Sequence, residues 1–408
     1  MQIKTIAALR LFLLGCLCLS KTIAAAAPVP ACTGRVAAIE PQREGGTAFS
    51  WTIDPPPQDA RQEAPFSMAI WGDSLTSARD FVDAVLETWG IPKNTVAPSF
   101  IQAGMKVPGL RLPLRAYCAS AGWTTAYAYK EKAGVTFSQG MVSMSSETPG
   151  DTLFLDFQSG AARLAGVNIQ YDKRRPDSSL VLAVSVDGGQ EQIISLSRTP
   201  ATALQITPKT PMATLRLRVV AGQVTVHGFA PLRAQAPAAV VDSFSVPGAT
   251  LRGWSNVSER HAPPHRGPAP DYRLILVQYG TNEGAGRFER QEYLAYLRAN
   301  LGQLRRFHPQ SRCILIGPPD RGVRGSAGPP GSLKYAAVHR QIALAQQQVG
   351  KEFRCDFWDW QAAMGGPGAA ARWAALREPQ MQQDLTHLTA KGYGVSGRMF
   401  AEAFPLKK

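Results

Sequence analysis

Between residues 116 and 232 the sequence is a succession of short apolar and polar alternations, at 134–143, 151–157, 165–171, 180–186, 191–196 and 213–227. Alternation with a period of two sends successive side chains to opposite faces, so each run reads as a half-buried strand. Turn clusters such as Arg175-Pro176-Asp177 and Asp187-Gly188-Gly189 separate the runs, and no helical period interrupts them. Six or more such strands in a row predict an antiparallel β-sandwich.

The flanks have a different texture. Residues 67–71 read as a buried strand, 72–74 as a tight turn, and the following segment as a helix with Phe81, Val82, Val85 and Trp89 on one face. Downstream, apolar runs at 272–279, 313–317 and 353–360 alternate with helical patterns. One pattern carries Leu294, Leu297, Leu301 and Leu304, and the other Tyr335, Val338, Ile342, Ala345 and Val349. Strands alternating with helices predict an α/β fold with a parallel sheet covered on both faces. The sandwich, 116–232, is thus expected as an insertion that splits the α/β domain into 67–115 and 233–408. Residues 27–66, with Pro55-Pro56-Pro57, form an amino-terminal extension that reads mostly as loop.

Lys4 and Arg10 precede an apolar run at 11–19 and then the small residues Ala24 to Ala27, the layout of a secretory signal peptide over 1–26. A lipoprotein cleavage box at Leu13-Leu14-Gly15-Cys16 is disfavoured because Arg10 leaves only five apolar residues before Cys16. Cleavage after Ala26 removes three cations and no acids, so the formal charge falls from +14 to 41 − 30 = +11. The mature chain keeps Cys32, Cys118, Cys313 and Cys355 without a C-x-x-C, which suits disulfides in an oxidising compartment rather than a zinc site. Of the three pairings open, Cys313 with Cys355 is preferred, because both begin runs that read as neighbouring parallel strands. No later run is long enough to span a membrane. The positive charge is spread out and not interleaved with aromatics, which argues against nucleic-acid binding. An exported, periplasmic monomer is expected.

Covalent ester hydrolysis needs a nucleophilic hydroxyl, a base, a group that orients the base, and donors for the oxyanion. Ser74 in Gly72-Asp73-Ser74-Leu75 lies at the strand-to-helix turn. Near the carboxyl terminus Asp384 precedes His387 by three residues, so its carboxylate can hold the Nδ1 proton and leave Nε2 as base. Asn282 in Gly280-Thr281-Asn282-Glu283 directly follows an apolar strand, where its amide can meet a developing oxyanion. No G-x-S-x-G occurs, which disfavours the usual nucleophile elbow.

Together these pieces resemble the SGNH hydrolases, also called GDSL esterases, whose signature blocks occur in this order. The second block matches Ser245-Val246-Pro247-Gly248-Ala249-Thr250, with Gly253 a poorer alternative for its glycine. The resemblance implies a three-layer α/β/α, flavodoxin-like fold. It also implies that Ser74 is nucleophile, His387 base and Asp384 its partner, with an oxyanion hole of Ser74 and Gly248 N–H groups and the Asn282 amide. No metal and no other cofactor is implied. Glu283 stands where many members have Asp.

Compact members have a few dozen residues between the first two blocks, whereas 173 separate Ser74 from Gly248 here. A sandwich inserted there, with export and the Gly-Thr-Asn-Glu block, resembles the periplasmic peptidoglycan O-acetylesterases, in which the insertion is carbohydrate-binding-module-like. O-acetylated glycan is the expected substrate. Alternatives are acetyl transfer by the same triad, another acetylated polysaccharide such as xylan, a lipid ester, or glycan binding without catalysis.

Arg287, Arg290, Arg298, Arg305 and Arg306 follow closely on Asn282 and could attract an anionic polymer, though a solvated helix face explains any one of them as well. His261-Ala262-Pro263-Pro264-His265 has metal-like spacing, but its prolines prevent a helical turn and a surface loop is expected. Asn256-Val257-Ser258 has the form of a glycosylation acceptor. Trp123, Tyr127 and Tyr129 could stack on sugars or belong to the core.

Overall fold

The structure is a computed structural model that describes residues 47–55, 64–157, 163–197, 201–261, 272–323 and 333–406. The expected signal segment, Cys32 and His265 lie outside these residues. Among them, six parallel strands form one sheet in the spatial order Cys355–Trp358, Arg312–Ile316, Leu274–Gln278, Phe66–Gly72, Ala239–Ser243, Val96–Ala97. The first long strand in the chain, Phe66–Gly72, is central. The second lies on one side of it and the third, fourth and fifth on the other, which is the flavodoxin-like order. Strand order reverses at Phe66–Gly72, and a doubly wound sheet opens its ligand crevice at the carboxyl end of that point.

Side-chain alternation explains why both faces are covered. Ala69, Trp71, Ile275, Val277, Cys313 and Leu315 point to one face and pack with Leu294, Leu297, Leu301 and Leu304 of helix Arg290–Phe307 and Ile342, Ala345 and Val349 of helix Ala336–Glu352. Their neighbours Met68, Ile70, Leu274, Leu276, Ile314 and Ile316 point the other way. There they meet Phe81, Val82 and Val85 of helix Asp80–Thr88 and Tyr393 and Phe400 of helix Ala390–Ala403. The three-layer α/β/α architecture follows from this two-sided burial.

The inserted strands form two antiparallel sheets. One runs Gln192–Ser195, Leu180–Val186, Thr214–Gly222, Thr152–Asp156, Ala116–Ala119. The other runs Phe49–Ile53, Ala203–Pro208, Gly166–Lys173, Val224–Leu232, Val142–Ser146, Thr124–Tyr127, with Ile101–Gln102 also paired to Val224–Leu232. Two of these strands come from outside 116–232. Phe49–Ile53 lies in the extension that reads as loop, and five register pairs with Ala203–Pro208 make it an edge strand of the sandwich. Its order comes from a partner some 150 residues away, which local alternation cannot reveal.

The two bodies share one core, since the apolar cluster on the Trp71 face continues into Leu153, Leu155, Leu182, Val226 and Phe229 of the sandwich. A polar tie joins them too. Gln139 accepts the Trp71 indole N–H through its backbone oxygen at 2.8 Å, and its side-chain Oε1 meets His308 Nε2 at 2.8 Å. Cys313 and Cys355 face each other in adjacent parallel strands and are joined by a disulfide, as the strand reading expects. Cys118 is also disulfide-bonded.

Candidate active site

The turn after Phe66–Gly72 is held from within. Asp73 caps the short helix Ser74–Ser77 by accepting the Leu75 N–H on Oδ1 at 2.9 Å, which sets Ser74 at its first position. Gly72 is required by space, because a Cβ there would stand 2.2 Å from Thr76 Oγ1 and 2.9 Å from Gln278 Oε1. Gln278 Oε1 accepts from the Asp73 N–H and the Thr76 hydroxyl, tying the turn to the neighbouring strand.

The Asp384–His387 segment closes over this turn. Asp384 Oδ1 accepts the N–H groups of Thr386 and His387 at 2.9 and 3.0 Å, and Oδ2 stands 2.6 Å from His387 Nδ1. A carboxylate only accepts, so Nδ1 carries the proton and Nε2 is left as an acceptor 3.1 Å from Ser74 Oγ. Burial alone would raise Asp384, but the hydrogen bonds from His387 and Thr386 outweigh it and hold the carboxyl below its ordinary value. Leu385 takes a left-handed φ of 54°, and its carbonyl accepts the Gly322 N–H at 2.9 Å. A hydroxyl, an imidazole and a carboxylate in this chain can move a proton off the hydroxyl as it attacks.

Three neighbouring loops surround Ser74, following the adjacent strands Ala239–Ser243, Phe66–Gly72 and Leu274–Gln278. Gly248, on the first, has φ 79°, a conformation suited to glycine, and a Cβ there would stand 3.1 Å from Tyr129 Oη. The Tyr129 hydroxyl donates to the Pro247 carbonyl at 3.1 Å, so a sandwich residue braces this turn. The Asn282 amide donates to the Ala249 carbonyl at 2.9 Å, which uses one of its two N–H donors. The second and third blocks are thereby fastened to each other.

Sequence reasoning overlooked two positioning groups. Glu283 passes there for a minor replacement of Asp. In the structure it accepts the Leu251 N–H, the Gly280 N–H and the Tyr296 hydroxyl at 3.0, 3.0 and 3.1 Å, bracing the loops that carry Gly248 and Asn282. Desolvation raises its carboxyl, although each of these donors opposes the shift. Arg321 donates from Nε to Thr386 Oγ1 at 3.1 Å and from Nη1 to the Thr281 carbonyl at 3.2 Å, while its guanidinium lies over the Tyr335 ring. It joins the third block to the fourth, and no motif marks it. Asp73, fully buried with Oδ2 unpartnered, is pushed up to about 7, chiefly by desolvation.

Other residues singled out from sequence have structural partners. Arg298 pairs with Glu352, Arg290 donates to Gln348, and Arg305 binds the carbonyls of Pro309 and Ser311. Asn256 is buried and its amide donates to the carbonyls of Ala128 and Glu131, so it offers no acceptor to a glycan. Trp123 is core, and Gly253 is buried in the 3-10 turn Leu251–Asn256. His261 departs from expectation: it is fully buried beside His227 and Asp172 rather than in a surface loop. A 3-10 turn, Glu259–His261, carries the ring inward.

Residues 221–395 match the GDSL-like lipase/acylhydrolase family. This span contains Gly248, Asn282, Asp384 and His387, while Ser74 lies upstream across the insertion. Among solved structures, a peptidoglycan O-acetylesterase superposes with a TM-score of 0.62 at 19% identity, covering 84% of this chain and 92% of that one. A family two carbohydrate esterase from Cellvibrio japonicus gives a TM-score of 0.26 at 16% identity, covering 70% and 97%. One from Clostridium thermocellum gives 0.27 at 9%, covering 71% and 98%. No curated protein matches the sequence significantly. Residues 221–395 carry a domain of the GDSL-like lipase/acylhydrolase family, and the protein is a serine ester hydrolase.

Proposed function

We propose that the protein is an exported esterase that removes O-acetyl groups from peptidoglycan, with Ser74 as nucleophile, His387 as base and Asp384 as its orienting partner. The observation that carries this reading is the hydrogen-bonded chain from Asp384 through His387 to Ser74 Oγ, set where the sheet order reverses and beside an inserted sandwich. The superposition of a peptidoglycan O-acetylesterase over 84% of this chain supports the choice of substrate. The Cys313–Cys355 disulfide supports export to an oxidising compartment.

Ser74 Oγ attacks the acetyl carbonyl while its proton passes to His387 Nε2. The Ser74 and Gly248 N–H groups and the second Asn282 amide hydrogen receive the oxyanion. Collapse breaks the bond to the sugar oxygen, which leaves with the His387 proton. Water, deprotonated by His387, then attacks the acetyl-serine and releases acetate, restoring the Ser74 hydroxyl.

The test is acetate release from O-acetylated peptidoglycan, acetylated xylan and short-chain ester dyes by wild type and Ser74→Ala. Faster turnover of peptidoglycan, abolished in the variant, is the expected result. Equal rates on all three would defeat the cell-wall assignment, and near-normal activity of Ser74→Ala would defeat the nucleophile. Acetylated glycan formed in place of free acetate would identify a transferase.

A further inference from the structure

Asp172, His227 and His261 bring three donor atoms within 4.8 Å of one another at the join between the sandwich and the α/β domain. Asp172 is on strand Gly166–Lys173, His227 on Val224–Leu232, and His261 ends the turn that follows the second block. The two strands are out of step at this point, with Val226 opposite Tyr171 and Gly228 opposite Gln170, so His227 is the extra residue of a bulge. A bulge re-aims the side chain it carries. Here it lays the His227 ring against that of His261, centroids 4.1 Å apart, with both rings buried.

The hydrogen bonding of this cluster does not close. His227 Nε2 meets Asp172 Oδ2 at 3.1 Å, and His261 Nε2 stands 2.7 Å from the same oxygen without the direction of a hydrogen bond. Nδ1 of His261 and Nδ1 of His227 are buried and unpartnered, while His261 Nε2 has only its 2.7 Å contact with Asp172 Oδ2. Two imidazole Nε2 atoms converging on one carboxylate oxygen are the donor set of a borderline-soft divalent cation. Tetrahedral zinc, with ligand bonds of about 2.0–2.2 Å, spaces its donors about 3.3 Å apart. Opening the present separations by a few tenths of an ångström would admit it. Arg260 lies 3.6 Å from the other oxygen, Oδ1, and leaves Oδ2 to the ion.

We propose that Asp172, His227 and His261 form a binding site for one zinc-like divalent cation that fastens the segment after the second block to the sandwich. Three protein donors leave one coordination position for water. The site is separate from Ser74, Asp384 and His387.

The test uses tag-free full-length mature protein, stripped with chelator and titrated with zinc alone. Retained metal after desalting and the thermal midpoint are both read. One zinc per chain and a rise in the midpoint of about 3 °C or more at saturating zinc, reversed by chelator, are expected for wild type. His387→Ala should keep the ion, whereas His261→Asn and Asp172→Asn should lose at least about 90% of it. Cobalt in place of zinc should give the visible absorption of a tetrahedral site in wild type and His387→Ala, and not in His261→Asn or Asp172→Asn. Failure of folded wild type to retain zinc, or equal retention by His261→Asn, would overturn the proposal; the wild-type measurements decide even if a variant does not fold.

Discussion

Replacing Asp73 by Asn should change how stability depends on pH. Burial of the carboxyl raises its folded-state pKa from 3.8 to about 7, and the nearby Glu283 charge adds to the effect. Between those values the folded protein holds a proton that the unfolded chain has lost. The stabilisation is therefore complete below about 3.8 and declines as pH rises through about 7. The interval of roughly 3 units, at about 1.4 kcal/mol each, sets a ceiling of about 4 kcal/mol, of which about 3 falls between pH 5 and pH 8. Asn has no such titration, and its Oδ1 can still cap the Leu75 N–H. Urea unfolding of both proteins at several pH values, followed by tryptophan fluorescence, gives the difference directly. The advantage of Asp73→Asn should grow by about 2–3 kcal/mol from pH 5 to pH 8. Parallel profiles would refute the assignment of a buried, proton-holding carboxyl.

Other perturbations follow from the same geometry. Asn282→Ala should lower kcat on acetyl ester by about 100- to 1,000-fold with little change in KM, measured by steady-state kinetics, because an oxyanion donor acts chiefly in the transition state. Arg321→Ala should lower kcat by roughly 10- to 100-fold through misplacement of the Thr281 and Thr386 loops. Arg321→Lys should recover only part of that loss, since one ammonium cannot reproduce two separated guanidinium donors. Removing the Cys313–Cys355 disulfide, whose partners are 42 residues apart, should cost about 4 kcal/mol at most in chemical denaturation if loop entropy dominates.

Local periodicity made the α/β alternation and most sandwich strands legible, because each period is a property of consecutive residues. The residues of the candidate site were legible for a related reason: Asp384 and His387 lie within one turn of chain, and Ser74 sits between a strand and a helix. What escaped depends on distant partners. Phe49–Ile53 becomes a strand only through Ala203–Pro208, and Glu283 matters through Leu251 and Tyr296. Arg321 acts through a hydroxyl 65 residues away. His261 reads as a loop residue until a bulge in another domain supplies its neighbour.

The placement of the insertion has a physical logic. Phe66–Gly72 must pair with Ala239–Ser243, and Phe66 lies opposite Ala239 across 173 residues of chain. Strand Ile101–Gln102 shortens that path, since Ile101 pairs with Phe229 where the chain leaves the sandwich. Once the sandwich has formed, closing the central pair orders only the 35 residues from Phe66 to Ile101 and the 10 from Phe229 to Ala239. With closure cost growing as (3/2)RT ln n, this saves about 1 kcal/mol and replaces a long search by a short one. The pairing of Ile101–Gln102 with Val224–Leu232 thus draws the two ends of the insertion together beside the paired strands that precede Ser74 and Gly248.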